Sequence, residues 1–281
     1  MENNTIKIHN PKAALLYFPQ WQGSGLTNEV ETGAKTLLDF FSGINSVNIP
    51  LSDNSLETRY NIVAYDPLVA QLVNAQTVLK EKKLEKLLLI AGDCAAEIAP
   101  IAYLNKYYNN DLTVIWLDAH GDLNNPESSP SGHFHGMPLR LLLDGEFQGI
   151  SIENTLDIKK LILAGLRDLD LPEKEFIDFN NLTIVIDRNN WKAQLLKLLN
   201  QQRAKNIYVH LDLDVIDPQI FPSLKCPTAD GFNPKDIAEF LKDVIRNYNV
   251  VGLSLTETTA KSQKELEPIK SILDVYKDYL F

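Results

Sequence analysis

The segment from Leu112 to Leu139 carries the feature that most constrains the fold, an apolar strand that runs into a cluster of charged side chains. The run from Leu112 to Leu117 is of the kind expected for a parallel strand that is buried on both faces. It is followed directly by Asp118, His120 and Asp122, whose two-residue spacing would point them to one side of an extended chain. Two carboxylates and an imidazole are costly to remove from water, and a bound divalent cation is the usual compensation. The segment therefore predicts a metal site at the end of a central strand.

A second histidine-rich turn lies shortly downstream. It runs from His133 to Gly136 and follows a loop rich in Ser, Pro and Asn. The alternative interpretation is a polar loop that only caps a strand, which fits most isolated Asp-x-His pairs. Three aligned ligand types with a further histidine nearby favour the metal site.

Predicted strands alternate with predicted helices along the whole chain. Apolar runs bounded by Gly, Pro and Asp indicate the strands, and Asp66-Pro67 and Asn233-Pro234 each indicate a capped helix start. This alternation predicts an α/β fold in one domain over residues 1–281, with helices on both faces of a mostly parallel sheet. The predicted strands are 12–18, 46–50, 86–91, 112–117, 161–166, 183–186, 206–211 and 250–255. The predicted helices are 27–41 with Thr27 as its cap, 66–79, 95–107, 139–143, 191–200, 234–248 and 264–279.

Charged and thiol side chains follow several of these strands at the point where each one ends. Ligands bind at the carboxyl ends of parallel strands, so these side chains are expected at one edge of the sheet. A pair such as Asp212 and Asp214 is, taken alone, often a solvated turn, but the whole set favours a site for two divalent cations. A mostly oxygen donor set suits manganese better than zinc. The set consists of Asp93, Cys94, Asp118, His120, Asp122, Asp212, Asp214 and Glu257.

Composition excludes several other classes of protein. Of the 281 residues, 44% are hydrophobic and 23% charged, as in ordinary soluble globular proteins. The formal charge of −10 and the absence of a long basic run argue against a nucleic-acid surface. We expect no membrane span and no signal peptide. Two cysteines make no disulfide framework, so a cytoplasmic location is expected.

The chain resembles the arginase, or ureohydrolase, family. The resemblance implies a three-layer α/β/α sandwich and a dimanganese centre that hydrolyses guanidino C–N bonds by means of a metal-activated water. It covers most of the chain in the family's order and rests on Gly92-Asp93-Cys94, Asp118-Ala119-His120-Gly121-Asp122, His135-Gly136, Asp212-Leu213-Asp214-Val215-Ile216-Asp217-Pro218 and Glu257.

The same resemblance implies roles for individual residues. Asp122 would pass a proton to the departing amine, His135 would shuttle protons, and Glu257 would pair with the guanidinium group. For Glu257 alone, a structural carboxylate after a strand is the alternative. One metal would be held by Cys94, Asp118, Asp122 and Asp212 and the other by His120, Asp118, Asp212 and Asp214, with Asp118 and Asp212 bridging.

The resemblance also implies how the substrate would be held. The loop positions Asn124, Ser129 and Ser131 match those that bind the α-carboxylate in arginases, although such residues are common in loops. Asp170 and Glu173 match the pair that binds the α-amino group. This set favours a guanidino-bearing α-amino acid over agmatine-type substrates.

Both cysteines depart from the family pattern. Cys94 stands where the family has histidine, and a thiolate is a softer ligand that could retune, weaken or leave empty one metal position. A small buried apolar cysteine is the alternative. Cys94 resembles the branch that hydrolyses N-hydroxy-arginine to hydroxyurea and ornithine, while Cys226 replaces a threonine near the guanidinium group. Arginine and N-hydroxy-arginine therefore both stay open as substrates.

Two other functions stay open at this point. The chain could be a non-catalytic arginase-like binding protein that has lost a metal. Alternatively, Cys94 could be a nucleophile in a metal-free mechanism, with His120 or His135 as base. The resemblance further implies a homo-oligomer, a trimer or hexamer, that acts on a small guanidino molecule.

Overall fold

A sheet of eight parallel strands forms the centre of the protein in the computed structural model, which describes residues 12–185 and 187–280. A separate two-stranded antiparallel hairpin lies outside it. The strands are β1 Ala13–Phe18, β2 Ser46–Asn48, β3 Lys86–Ala91, β4 Leu112–Leu117, β5 Glu146–Phe147, β6 Ile150–Ser151, β7 Leu161–Ala164, β8 Thr183–Val185, β9 Asn206–Leu211 and β10 Asn249–Leu255.

The order of the strands brings distant parts of the chain together. Across the sheet the order is β2-β1-β3-β10-β9-β4-β7-β8, and every pairing in it is parallel. The four central neighbours β3, β10, β9 and β4 are the strands whose carboxyl ends carry the predicted metal-site residues. Parallel strands end at the same edge, so this order alone places those residues side by side.

Helices cover both faces of the sheet, as predicted. Helices α2 to α5 contribute to the apolar core on one face, and α1, α6, α7 and α8 to the core on the other. The predicted three-layer α/β/α sandwich is therefore confirmed. Among the described helices, none combines the length and the apolar character needed to cross a bilayer. The helices are α1 Glu29–Phe40, α2 Tyr65–Lys82, α3 Ile98–Tyr107, α4 Pro138–Asp144, α5 Leu171–Asn180, α6 Trp191–Gln201, α7 Pro234–Asn247 and α8 Lys270–Tyr279.

Strand β4 illustrates how the sequence separates the two cores. Val114 and Trp116 belong to the core on one face, and Ile115 and Leu117 to the core on the other. All four are completely buried. Since successive side chains of a strand point to opposite faces, a strand between two helical layers has to be apolar at every position.

Several predicted helix starts differ from the observed ones, including that of α3, which begins at Ile98 after a 3₁₀ segment, Cys94–Glu97. Helix α1 begins at Glu29, and the hydroxyl of Thr27 accepts a hydrogen bond from Lys225 Nζ at 3.1 Å instead of capping the helix. Helix α2 begins at Tyr65, so Asp66 lies within its first turn and pairs with Arg59.

The closing helix is also shorter than predicted. Helix α8 begins at Lys270, and residues 264–269 form turns and a short 3₁₀ segment, Glu267–Ile269. Pro268 lies in that segment, and its missing N–H removes a donor that a continuous helix from residue 264 would need.

Other predicted elements match closely. Strands β3, β4 and β9 have the predicted bounds, and the Asn233 side chain caps α7 by accepting from the Lys235 backbone N–H at 2.9 Å. Strand β7 ends at Ala164 because Gly165 turns the chain with a φ of +100°. The predicted strand 183–186 is observed as Thr183–Val185, and residue 186 lies outside the described residues.

Candidate metal centre

A cavity of about 140 Å³ lies past the carboxyl ends of β3, β10, β9 and β4. It brings together every predicted catalytic and substrate-binding residue and all the predicted metal ligands except Asp118, which lies directly beneath its wall. Its lining residues are Cys94, His120, Asp122, Asn124, Ser129, Pro130, Ser131, His135, Gly136, Asp170, Glu173, Asp212, Asp214, Cys226 and Glu257.

The carboxylates reach this cavity from turns that follow the strands. They do not lie in extended segments. After β4 the chain bends, and Asp118 Oδ1 accepts the His120 backbone N–H at 2.6 Å. After β9, Asp212 Oδ1 accepts the Asp214 backbone N–H at 2.7 Å in the 3₁₀ turn Leu213–Val215. The side chains converge as expected, but the extended geometry assumed from their spacing is wrong.

Four potential ligands meet in the buried region next to the cavity, and two of them, Cys94 and Asp212, line it. We call Cys94, Asp118, His210 and Asp212 the deep group; their ligand atoms all lie within 4.8 Å of one another. Cys94 Sγ is 3.0 Å from Asp212 Oδ2 and 3.7 Å from His210 Nε2. His210 Nε2 is 3.9 Å from Asp118 Oδ2. All four residues are buried, so the group offers one thiol, one imidazole and two carboxylates to a single ion.

A second set lies nearer the cavity opening. We call Asp118, His120 and Asp214 the outer group, and their ligand atoms also lie within 4.8 Å of one another. His120 Nδ1 is 3.0 Å from Asp214 Oδ2 and 3.4 Å from Asp118 Oδ1. The His120 side chain is 27% exposed, whereas both carboxylates are buried. Asp118 is common to both groups, so it is placed to bridge two ions.

His210 is a site residue that sequence reasoning missed. It lies within β9, opposite Trp116 in β4, and the two rings stack with centroids 3.6 Å apart. A histidine inside an apolar strand resembles a core residue. The available signal was its spacing, since His210, Asp212 and Asp214 alternate along the chain and His210 precedes the Asp pair by one step.

Negative charge is in excess among these buried groups. Burial and then the nearby Asp214 and Asp118 raise the pKa of Asp212 well above its ordinary value. Burial and then Asp118 raise the pKa of Asp214 to about 6. Burial and then Asp212 raise the pKa of the Cys94 thiol well above its usual range. A divalent cation would relieve this repulsion and favour the ionised ligands, so the donor set fits such an ion.

The histidines balance part of the charge. Burial lowers the pKa of His120, but hydrogen bonding to Asp118 and Asp214 outweighs burial and raises it. Burial likewise opposes ionisation of Asp118, while hydrogen bonds to His120 and His210 lower the pKa of that carboxyl. These hydrogen bonds favour the ionised carboxylate of Asp118, which is the form that a bridging ligand needs.

Asp122 and Glu257 lie in the cavity wall, outside both ligand groups. Asp122 Oδ2 and Glu257 Oε2 are buried and have no hydrogen-bond partner within the described part of the chain. Both residues also have a positive φ, +54° for Asp122 and +62° for Glu257, a strained conformation that clusters at functional sites. Two unpartnered carboxylate oxygens thus face the space where an ion or a cationic substrate would bind.

His135 contacts the second of these carboxylates. Its Nδ1 is 3.1 Å from Glu257 Oε1, and the same oxygen accepts the Cys94 backbone N–H at 3.1 Å. The His135 side chain is 21% exposed, so it connects Glu257 to the cavity opening.

Asp93 has a structural role despite its place among the charged strand ends. Its carboxylate accepts hydrogen bonds from the backbone N–H groups of Gly23 and Ala95 and from the Gln20 side chain, at 2.9 to 3.0 Å. With these donors satisfied, Asp93 fixes the turn that presents Cys94.

The residues predicted to bind the amino-acid end form a connected rim. Asn124 Nδ2 donates to Asp170 Oδ2 at 3.0 Å, and Asn124 Oδ1 accepts from Ser128 Oγ at 2.9 Å. Glu173 and Asp170 form the capping box at the start of α5, and Glu173 Oε1 also accepts the Leu123 backbone N–H at 3.1 Å. The helix start and the loop after β4 therefore hold each other in place beside the cavity.

Two serines further along the same loop complete the rim. Ser129 Oγ accepts the Gly132 backbone N–H at 3.0 Å, and Ser131 Oγ accepts the His133 backbone N–H at 3.2 Å. Each hydroxyl keeps its own proton available for a ligand oxygen. Cys226 lines the cavity from the segment after β9, where burial and then Glu257 raise the pKa of its thiol to about 12.

Known proteins share this fold and part of this sequence. The chain is 33% identical over 179 residues to an arginase of Staphylococcus aureus, a match that covers 60% of this chain and 59% of that protein. It is 32% identical over 199 residues to an arginase of Bacillus subtilis, covering 66% and 64% of the two chains. The crystal structure of Entamoeba histolytica arginase in complex with L-ornithine superposes with a TM-score of 0.81 at 21% identity, covering 96% of this chain and 98% of that one.

A family model gives the broadest sequence match. The model of the arginase family matches residues 45–267, which include every residue of the deep and outer groups. The chain belongs to the arginase family.

Proposed function

We propose that the protein is a divalent-metal-dependent amidinohydrolase acting on an arginine-like α-amino acid. Water would cleave the guanidino C–N bond, giving ornithine and urea from arginine, or ornithine and hydroxyurea from N-hydroxy-arginine. The observation that carries this proposal is the buried carboxylate of Asp118, shared by two ligand groups on the floor of one cavity.

The metal ligands proposed are those expected from the resemblance. Bound ions would supply an activated water and positive charge opposite the developing negative charge of the reaction. Manganese suits the outer group best, because oxygen donors outnumber its single imidazole. The proposed ligands are Cys94, Asp118, His120, Asp212 and Asp214 of the two groups, and Asp122 of the cavity wall.

Asp122 is the proposed general acid and base. Burial and then Asp118 raise the pKa of Asp122 well above its ordinary value, which favours uptake of a proton by its carboxylate during the reaction. Its unpartnered Oδ2 is free to pass that proton to the departing amine. Asp122 lines the cavity, where its backbone has a φ of +54°.

We propose that Glu257 binds the guanidinium group and that His135 transfers protons. Glu257 Oε2 has no hydrogen-bond partner within the described residues and can accept an N–H of the substrate. His135 is bonded to Glu257 Oε1 and reaches the cavity opening, so it can carry protons to and from solvent.

The rim is proposed to select an α-amino acid. Asp170 would bind the α-ammonium group together with Glu173, whose oxygens retain lone pairs beyond their bonds to the backbone. Asn124, Ser129 and Ser131 would bind the α-carboxylate. Cys226 would contact the tail of the substrate, where it distinguishes a guanidinium from an N-hydroxyguanidinium group.

The burial of Cys94 argues against a metal-free mechanism with this thiol as nucleophile. Without a neighbouring cation the thiolate is strongly disfavoured, because burial and four surrounding carboxylates raise its pKa. The thiol instead lies 3.0 Å from Asp212 Oδ2, within the deep ligand group.

Turnover of three substrates by one metal-loaded preparation tests the proposal. Arginine and N-hydroxy-arginine both release ornithine, so a single ornithine assay compares them, and urea against hydroxyurea distinguishes the tail. Agmatine lacks the α-carboxylate and should react much more slowly. Binding of metal without turnover of any of the three would contradict the proposal and favour a non-catalytic arginase-like binding protein.

The same proposal covers the cellular location, the oligomeric state and the domain organisation of the protein. Both cysteines are free thiols, which supports a reducing cytoplasm. The resemblance supports a homo-oligomer, a trimer or hexamer, and the one sheet with a continuous core on each face supports a single domain.

A further inference from the structure

We propose that His210 is a metal ligand and that the deep group, Cys94, Asp118, His210 and Asp212, selects a borderline divalent ion such as zinc or ferrous iron over manganese. This inference rests on the proposed metal-dependent function and identifies the ligands and the metal of one of its two positions.

The first argument is the orientation of the His210 ring. Glu97 Oε1 lies 2.9 Å from His210 Nδ1, so that nitrogen is the N–H donor to Glu97 and Nε2 is the nitrogen that would give its lone pair to a bound ion. Nε2 faces Cys94 Sγ at 3.7 Å and Asp118 Oδ2 at 3.9 Å. A ring held for packing alone would not need its second nitrogen directed at a thiol and a carboxylate.

The second argument is the carboxylate behind the ring. Glu97 is completely buried, and its other oxygen, Oε2, accepts the Tyr208 hydroxyl proton at 2.5 Å. A carboxylate that bonds the far nitrogen of a histidine is the usual support of a metal-bound imidazole, because it fixes the tautomer and makes the ligand nitrogen more basic. A buried Glu–His pair of this kind is expensive unless the site uses it.

The third argument is the size of the group. Around a four-coordinate ion with bonds of about 2.0–2.3 Å, neighbouring ligand atoms lie roughly 3.3–3.8 Å apart. The Cys94 Sγ to His210 Nε2 and His210 Nε2 to Asp118 Oδ2 separations of 3.7 and 3.9 Å are close to that range. The 3.0 Å contact between Cys94 Sγ and Asp212 Oδ2 is a thiol hydrogen bond that an ion would replace.

The fourth argument is that the donor atoms differ from those that the family resemblance implies. The family resemblance places an imidazole at position 94, where this chain has a thiol. His210 of β9, which is separated from β3 by β10, brings an imidazole within 3.7 Å of that thiol. The thiol and the imidazole together form a softer set than imidazole and carboxylates alone. Thiolate and imidazole donors favour zinc and iron, and manganese binds most weakly of the first-row divalent ions.

The test uses cobalt as a spectroscopic probe in the full-length protein. Metal-free protein is titrated with Co²⁺, and we expect two bound ions per chain, one of them giving a near-ultraviolet thiolate-to-cobalt charge-transfer band. Zn²⁺ should remove that band when added in stoichiometric amount, whereas a large excess of Mn²⁺ should not. A band that is absent, or that Mn²⁺ removes as readily as Zn²⁺, would overturn the inference.

Variants assign the ligands. Cys94→Ser should abolish the band, and Cys226→Ser, which alters the other thiol, should retain it. His210→Gln should reduce the bound cobalt from two ions to one, while His133→Ala, a matched change outside both groups, should leave two. Glu97→Gln, a change at a positioning residue, should weaken cobalt binding at the deep group by about 10–100-fold.

X-ray absorption of the unmodified zinc-loaded protein keeps the test independent of how the variants fold. One sulfur and one imidazole in the first coordination shell of one ion would support the inference, and a shell of oxygen atoms alone would refute it. The outcomes separate the two proposals. Turnover with manganese and no thiolate band would refute the inference and leave the proposed function standing, and a thiolate band without turnover would do the reverse.

Discussion

The deep and outer ligand groups share Asp118 but differ in almost every other respect. The deep group is completely enclosed, has a thiol and an imidazole among its donors, and has a buried Glu97 behind its histidine. The outer group has two carboxylates and one partly exposed histidine, His120. The two ligand groups thus differ in donor chemistry and in access to solvent.

The difference between the two groups shows how one fold can offer two ions different ligands. The strand β9 supplies the deep group from within the sheet, through His210, so its ligand is fixed by core packing. The turns after β4 and β9 supply the outer group, where the ion would face the substrate. A softer donor set can therefore enter the deep position without altering the side that meets the substrate.

Loss of the shared ligand should have the largest effect. Asp118→Ala is expected to remove both ions and to lower turnover by more than about 100-fold, since the electrostatic stabilisation by the ions is lost as well. Asp118→Asn separates this effect from folding, because it retains the volume and an acceptor for Trp116 Nε1. Metal analysis with an ornithine assay is the measurement, and full activity in either variant would contradict the bridging role.

Loss of a ligand from only one group should show whether the deep and outer groups bind ions independently. His120→Ala is expected to release the outer ion, to retain the deep one with its thiolate–cobalt band, and to lower turnover by about 100-fold. If His120→Ala removed both ions, or removed the band, the two groups would not be independent sites.

Changes at the rim should leave both metal positions intact. Asp170→Ala is expected to raise KM for an α-amino acid substrate by about 10-fold or more, because a hydrogen bond to a charged group is lost. The bound metal should not change. Asp178→Ala, an exposed aspartate of the same helix, is the matched control, and equal KM values in the two variants would show that Asp170 does not bind the α-amino group.

Metal removal should have a moderate effect on stability. An ion present at about 100 times its Kd stabilises the fold by about 2.7 kcal/mol, so chelation should lower Tm by roughly 5–10 °C. Zinc should restore more of this loss than manganese does, since the deep group is the more enclosed. Differential scanning calorimetry measures the shift, and the Asp118→Ala protein should show none.

The fold was largely predictable because buried strands require apolar runs that are easily recognised in the sequence. Completely apolar runs such as Leu112 to Leu117 are required where a strand lies between two helical layers, and β3, β4 and β9 matched their predicted bounds. Helix starts were less predictable, since Thr27 and Asp66 have the right residue type for a cap but bond Lys225 and Arg59 instead. These tertiary partners leave no local signal.

The candidate site was predictable in outline for the same topological reason. Asp118, Asp212 and Glu257 follow apolar strands, and parallel strands deliver such residues to one edge. His210 was missed because it lies inside a strand, where its contacts with Glu97 and Cys94 depend on the order of strands in the sheet. No local sequence pattern indicates the order of the strands.

Anomalous diffraction from crystals loaded with zinc and manganese tests the central claim most directly, because it locates and identifies each ion. The account predicts two sites per chain: zinc bonded to Cys94 Sγ and His210 Nε2, and manganese bonded to His120 and Asp214, with Asp118 between them. A single ion, or two ions of which neither contacts His210 or Cys94, would contradict it.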